Sequence, residues 1–127
     1  MKILIICISL VCAYSHIVFV EKDTEAVIHP TEDTHVDLMI SLSLCSRTVW
    51  MITPPDTPRI RITNGYTGEY IEPMSQEYGA PGLQMFHVVC SGCQVGDIAK
   101  IKLELYEYGN DDPIETRSVI IKVLNGH

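Results

Sequence analysis

Residues 36–50 read VDLMISLSLCSRTVW, and this stretch decides the fold. Val36, Leu38, Ile40 and Leu42 alternate with Asp37, Met39, Ser41 and Ser43, which puts the aliphatic set on one face of a β-strand and predicts that this face is buried. The alternation stops at Leu44-Cys45-Ser46-Arg47-Thr48 and resumes at Val49-Trp50-Met51-Ile52, which carries the single tryptophan of the chain. The pattern predicts two strands joined by a short exposed connection. Such a connection is an ordinary inter-strand loop unless other features make it a site.

Downstream of Trp50 the pattern repeats. Pro54, Pro55 and Pro58 end the strand and exclude a helix. Residues 59–63, RIRIT, alternate with Ile60 and Ile62 inward and both arginines outward. Asn64-Gly65 predicts a hairpin turn into a partner strand at residues 66–71, with Gly68 marking a bulge in it. Residues 72–82, EPMSQEYGAPG, predict a long loop, and loops of that length in small domains are more often binding elements than connectors. Strands are then expected at residues 83–90, 99–108 and 118–124, with an acidic turn, GNDDPIET, at 109–116. Upstream, residues 17–21 and 26–29 read as one split edge strand. Repeated short strands with Gly and Pro punctuation and no helical period indicate an all-β sandwich or barrel.

Composition narrows the function. The 127 residues suffice for one domain, and 46% hydrophobic with 20% charged residues is a globular composition. A formal net charge of -7 argues against nucleic acid as a partner, because phosphate neutralisation needs clustered Lys and Arg. It also disfavours docking on anionic lipid.

Residues 1–15 read as a secretory signal peptide: Lys2 supplies the positive start, residues 3–11 the apolar stretch, and Ala13-Tyr14-Ser15 the cleavage pattern. That apolar run is well short of the roughly twenty residues needed to span a bilayer. The expected mature domain is 16–127, secreted or delivered to lysosome-like vesicles, and monomeric. It keeps Cys45, Cys90 and Cys93. Cys90-Ser91-Gly92-Cys93 fits a turn disulfide; the alternative, a redox dithiol, normally sits at a helix N-terminus, and no helical period follows Cys93.

In its order of strands and loops the chain resembles the chagasin-like inhibitors of papain-type cysteine proteases, immunoglobulin-like β-sandwiches. Residues 36–50 match that family's strand, its Asn-Pro-Thr-Thr-Gly-aromatic loop and the tryptophan beyond it. Gly79-Ala80-Pro81-Gly82 followed by Met85-Phe86-His87-Val88 is similar to its Gly-x-Gly-Gly loop and the next strand. Leu103-Glu104-Leu105-Tyr106-Glu107-Tyr108-Gly109 stands where the family has a strand running into Arg-Pro-Trp.

The resemblance implies seven or eight strands and three loops at one end, which would occlude a protease cleft without covalent chemistry or cofactor. The implied contact residues are Ser43, Leu44, Cys45, Ser46, Arg47 and Thr48 in the first loop. Gly79, Ala80, Pro81 and Gly82 follow in the second, and Tyr106, Glu107 and Tyr108 in the third. The chain departs from the family inside these loops. Arg47 stands at a glycine position, where it would have to adopt a backbone conformation that glycine takes freely. Pro81 replaces a glycine. Glu107-Tyr108-Gly109 replaces Arg-Pro-Trp, so an anion stands for a cation and tyrosines supply the aromatic area.

Cys45, placed nearest the protease nucleophile, would be either a thiol able to form a mixed disulfide or a half-buried unreactive cysteine. The alternative function is a secreted, non-inhibitory binding module on the same scaffold. A third reading makes His16, once it is the first residue, a copper ligand with one of His29, His35, His87 or His127, as in certain secreted β-sandwich oxygenases. Local metal-ligand spacing is absent, as are a Gly-x-Ser-x-Gly elbow and a nucleophile with its base, so no catalytic residue is assigned.

Overall fold

The structure, a computed structural model, describes residues 16–30, 34–42, 47–72 and 82–125. The signal-peptide reading of residues 1–15 lies outside them. Nine strands are found among the described residues: β1 (Ile17–Phe19), β2 (Thr24–Ile28), β3 (His35–Leu42), β4 (Thr48–Thr53), β5 (Ile60–Ile62), β6 (Glu69–Ile71), β7 (Gly82–Cys90), β8 (Ile98–Glu107) and β9 (Glu115–Val123). They form two sheets packed as an immunoglobulin-like β-sandwich. The first has the order β1-β3-β7-β5, with β6 also on β7, and the second β2-β9-β8-β4. The count exceeds the expected seven or eight because the segment expected as one split edge strand is two separate strands, β1 and β2.

Strand alternation builds the core. Val36, Leu38, Ile40 and Leu42 of β3 face Ala99, Ile101 and Leu103 of β8 and Val119, Ile121 and Val123 of β9 across the sandwich, and all are buried. From β7, Phe86 and Val88 point inward while Met85 and His87 point outward. Trp50 lies within this core, and its indole N–H donates to the Ser41 carbonyl at 3.0 Å. That bond joins the end of β3 to the start of β4 beneath the connection between them.

Residues 17–29 are not one split strand. β1 pairs in parallel with β3 in the first sheet, whereas β2 pairs in parallel with β9 in the second. The exposed Glu21-Lys22-Asp23 triplet carries the chain over the end of the sandwich. Apolar residues on both sides of the triplet then reach one core from opposite sheets: Val20 before it, Ala26 and Ile28 after it.

The hairpin expected at Asn64-Gly65 does not form either. β5 and β6 both run antiparallel to β7, one after the other along the same edge. Between them, the six residues 63–68 stand against only Phe86 and His87 of β7. The Asn64 side chain fills the gap in the ladder, donating to the Met85 carbonyl (2.8 Å) and accepting from the His87 amide (2.9 Å). Gly68, at φ +61°, lies so close to β7 that a side chain there would collide with the Met85 carbonyl. The expected strand at 66–71 is therefore confined to Glu69–Ile71, and the bulge stands before it rather than within it.

The bulge also covers the edge of the other sheet. The Tyr66 carbonyl accepts from the Ile52 amide of β4 at 2.8 Å. Beside it, Gln84 points inward from β7 and is only 2% exposed. Its side-chain oxygen accepts from the Trp50 amide (2.8 Å), and its nitrogen donates to the carbonyls of Trp50 (3.0 Å) and Thr67 (2.8 Å). One glutamine thus stands in for a neighbouring strand and keeps β4 from presenting an open edge.

At the opposite end, Cys90 and Cys93 form a disulfide across the turn after β7. The next turn is held by Asp97, whose carboxylate accepts from the Gln94 amide at 2.9 Å and from Arg59 at 3.1 Å. The Gln94 hydrogen bond first, and Arg59 after it, hold the Asp97 carboxyl below the usual carboxylate range.

Candidate protein-binding end of the sandwich

The strand directions bring to one end the segment 20–23 after β1, the end of β3 with the start of β4, the end of β6 with the start of β7, and the segment 108–114 after β8. Of the first-loop residues, Arg47 and Thr48 are described; Ser43, Leu44, Cys45 and Ser46 lie outside the described residues, and with them both readings of Cys45. Gly79, Ala80 and Pro81 of the second loop lie outside as well.

Arg47 is the only non-glycine residue at positive φ (53°) among the described residues. Its carbonyl accepts from the Tyr108 amide at 3.0 Å, which ties the first connection to the third. A left-handed conformation is disfavoured for a residue with a Cβ. Arg47→Gly is therefore expected to raise stability by about 0.5–1 kcal/mol, the strain relief being partly offset by the freer unfolded chain. Urea unfolding of the two proteins checks this, and a lower midpoint for the glycine variant would contradict the strain.

Gly82 opens β7 opposite Leu42 and is buried. A methyl group there would collide with the Tyr70 ring. Gly82 therefore leaves room for the Tyr70 ring at the start of β7, and Tyr70 is itself exposed.

In the third connection, Tyr108 is 86% exposed and stands at the tip. The turn is closed by the Asn110 amide on the Glu107 carbonyl (2.9 Å) and the Ile114 amide on the Leu105 carbonyl (2.8 Å), with Gly109 at φ 90°. Tyr106 faces outward opposite Val49 of β4. Between the first and third connections, on the outer face of the second sheet, lies a groove of about 680 Å³ floored by Val49, Met51 and Tyr106 and walled by Arg47, Glu107 and Tyr108. The Tyr106 hydroxyl lies 3.5 Å from the Glu104 carboxylate. Partial burial, and next the charges of Glu104 and Asp112, raise its pKa above the usual phenol value.

Arg117 braces this end from within. Its guanidinium stacks on Trp50 (4.9 Å to the ring centroid), donates to the Val20 carbonyl at 2.6 Å and pairs with Glu115 at 2.7 Å. The first crossover, the core tryptophan and the third turn are thereby locked together, which favours a preformed rather than an adaptable surface.

The structure brings Arg47, Thr48, Tyr106, Glu107 and Tyr108 to one place and Gly82 to the neighbouring sheet at the same end. Sequence reasoning missed Tyr70, Val49, Met51 and Asn110. Val49 and Met51 were legible as the outward positions flanking Trp50. Nothing local marked Tyr70, which matters only because Gly82 lies beneath it. Among the described residues no three His, Cys, Asp or Glu side chains gather as a metal-ligand set. His87 instead pairs with Asp37 at 2.5 Å on the outer face of the first sheet, and His127 lies outside the described residues.

Fold and site together define a class: an immunoglobulin-like sandwich that presents loops, held from below, at one end. No protein-family model matches the chain, and no curated protein matches it. Among solved structures it is similar to the crystal structure of the cysteine protease inhibitor EhICP2 from Entamoeba histolytica, at 14% identity. The match covers 87% of this chain and 96% of that one, with a TM-score of 0.59. The likeness is one of fold, and the chagasin-like reading is supported at that level.

Proposed function

We propose that this protein is a reversible, occlusive inhibitor of papain-type cysteine proteases, exported through its N-terminal signal to a secreted or vesicular compartment. The observation that carries the reading is the bond between the Tyr108 amide and the Arg47 carbonyl. It sets the first and third connections side by side, at the end where the second begins beside Tyr70, on a fold shared with a protease inhibitor. Arg117 and Trp50 stiffen the base, so docking forfeits little conformational entropy. The protein's part is to fill a cleft, with no bond made or broken.

The test is a titration of the protein against papain and a cathepsin L-like protease, following hydrolysis of a fluorogenic peptide. Saturable inhibition at sub-micromolar concentration, with the inhibitor recovered uncleaved, is the expected outcome. A flat response against both enzymes would remove the reading and leave a binding module of another specificity.

A further inference from the structure

Asn64-Gly65, which the fold does not use as a hairpin turn, is also the dipeptide in which an asparagine side chain loses its amide most readily. The glycine amide nitrogen attacks the asparagine Cγ, a C–N bond forms, and the side-chain nitrogen leaves as ammonia. Water then opens the five-membered imide to aspartate or isoaspartate. Glycine favours the step because it has no Cβ to hinder the approach of its nitrogen. The chain holds a second such pair at Asn125-Gly126.

The fold treats the two asparagines differently. Both ends of the Asn64 carboxamide are held: the nitrogen donates to the Met85 carbonyl (2.8 Å) and the oxygen accepts from the His87 amide (2.9 Å). The nitrogen expelled in ring closure is the one bound to Met85, so the reaction has to break this clamp. Gly65 is exposed, and no atom lies near the place where a Cβ would stand, so access and space are open once the clamp is released. Asn125 lies exposed beyond β9.

The clamp also requires an amide. Aspartate at this position has no donor for the Met85 carbonyl and sets a carboxylate oxygen against it. Isoaspartate adds a methylene to the main chain where residues 63–68 span Phe86 and His87 of β7. This stretch fastens both sheets: the Thr63 amide donates to the His87 carbonyl (3.0 Å), the Tyr66 carbonyl accepts from the Ile52 amide (2.8 Å), and the Thr67 carbonyl accepts from Gln84 (2.8 Å). Releasing Asn64 therefore loosens the cover over the edge of β4.

We propose that Asn64 is a deamidation site gated by the fold. It stays intact while clamped on β7, converts to aspartate or isoaspartate when residues 63–68 open, and cannot restore the clamp afterwards. A reversible opening of the sandwich edge becomes permanent, and the site acts as a chemical clock on the working life of the domain. The proposal is independent of the inhibitor reading and needs only the chain itself and water.

To test it, the full chain is incubated in mildly alkaline buffer, folded and in guanidinium chloride, and amide-to-acid conversion at Asn64 and Asn125 is followed by peptide mapping and mass spectrometry. Conversion at Asn64 is expected to be at least about tenfold slower in the folded chain than in denaturant, because only the opened fraction reacts. Asn125 is the internal control, expected to convert at similar rates in both. Equal rates at Asn64 in the two states would overturn the gating, and no conversion there in denaturant would remove the site. A second measurement addresses the clamp. Asn64→Asp is expected to unfold at a lower urea midpoint than the wild type and to exchange the Ile52 and His87 amide hydrogens faster. If that variant does not fold, aged protein carrying the new acid at residue 64, separated by charge and identified by mapping, gives the same comparison. An unchanged midpoint with unchanged exchange would overturn the proposal.

Discussion

Gln84→Leu is expected to lower the stability of the domain by about 3–5 kcal/mol, although it exchanges a polar side chain for an apolar one of similar size in a buried position. The reason is what Gln84 leaves behind. Its amide satisfies the N–H and C=O of Trp50 and the carbonyl of Thr67, all from within the sandwich. Leucine would strand these groups in a place water reaches poorly, and each buried unsatisfied backbone group costs about 1–3 kcal/mol. Gains from the leucine side chain itself offset only part of this.

Whole domains are stable by about 5–15 kcal/mol, so the loss is a large share of the total. Urea unfolding followed by tryptophan fluorescence measures it, because Trp50 sits at the affected strand. A change under about 1 kcal/mol would mean that β4 does not depend on Gln84, since a net hydrogen bond alone is worth about that much. A consequence for function follows. β4 carries Val49 and Met51 and continues from Arg47, so loosening its edge disturbs the groove as well as the core.

Tyr108→Ala is expected to weaken protease inhibition by about 30- to 100-fold, in the range of a buried aromatic anchor at an interface, while leaving the unfolding midpoint within experimental scatter. Both expectations come from the same geometry. The ring is 86% exposed and contributes little to the folded domain. The bond that orders the turn runs through the Tyr108 amide to the Arg47 carbonyl and survives the substitution. The loss would therefore report the ring and not the turn. Tyr106→Ala removes part of the groove floor and is expected to act in the same direction. Unchanged inhibition constants in both variants would take the third connection out of the contact surface.

Some features of this fold are local. The faces of β3, β8 and β9 follow from the period-two pattern, because a strand buried on one face needs only its own alternation to be recognised. The same holds for the exposed placement of Arg59 and Arg61 around Ile60. The strain at Arg47 was legible too, once the position was aligned with a glycine, and φ 53° agrees with it.

Other features were not local, and they decide how the sandwich is closed. Asn64-Gly65 carries a strong hairpin signal, yet Asn64 spends its amide on β7, a strand more than twenty residues away in sequence, so the turn widens into a bulge. Glu21-Lys22-Asp23 looks like a break in one strand, and only the separate partners β3 and β9 reveal a change of sheet. Gln84 reads as a polar residue in a mixed strand. Its task becomes visible only when the backbone of Trp50 is brought beside it.

The sequence by itself determined that this chain is an all-β domain, which strand faces are core, and which loop residues resemble an inhibitor's. Tertiary structure alone decided which strands share a sheet, how the open edge of β4 is closed, and that Val49, Met51 and Tyr106 form a groove beside Arg47 and Glu107. The physical reason is the range of the forces involved. Side-chain alternation is set by the local pleat, whereas the partner of a backbone hydrogen bond or the far wall of a groove is supplied by whichever remote segment the packing brings near.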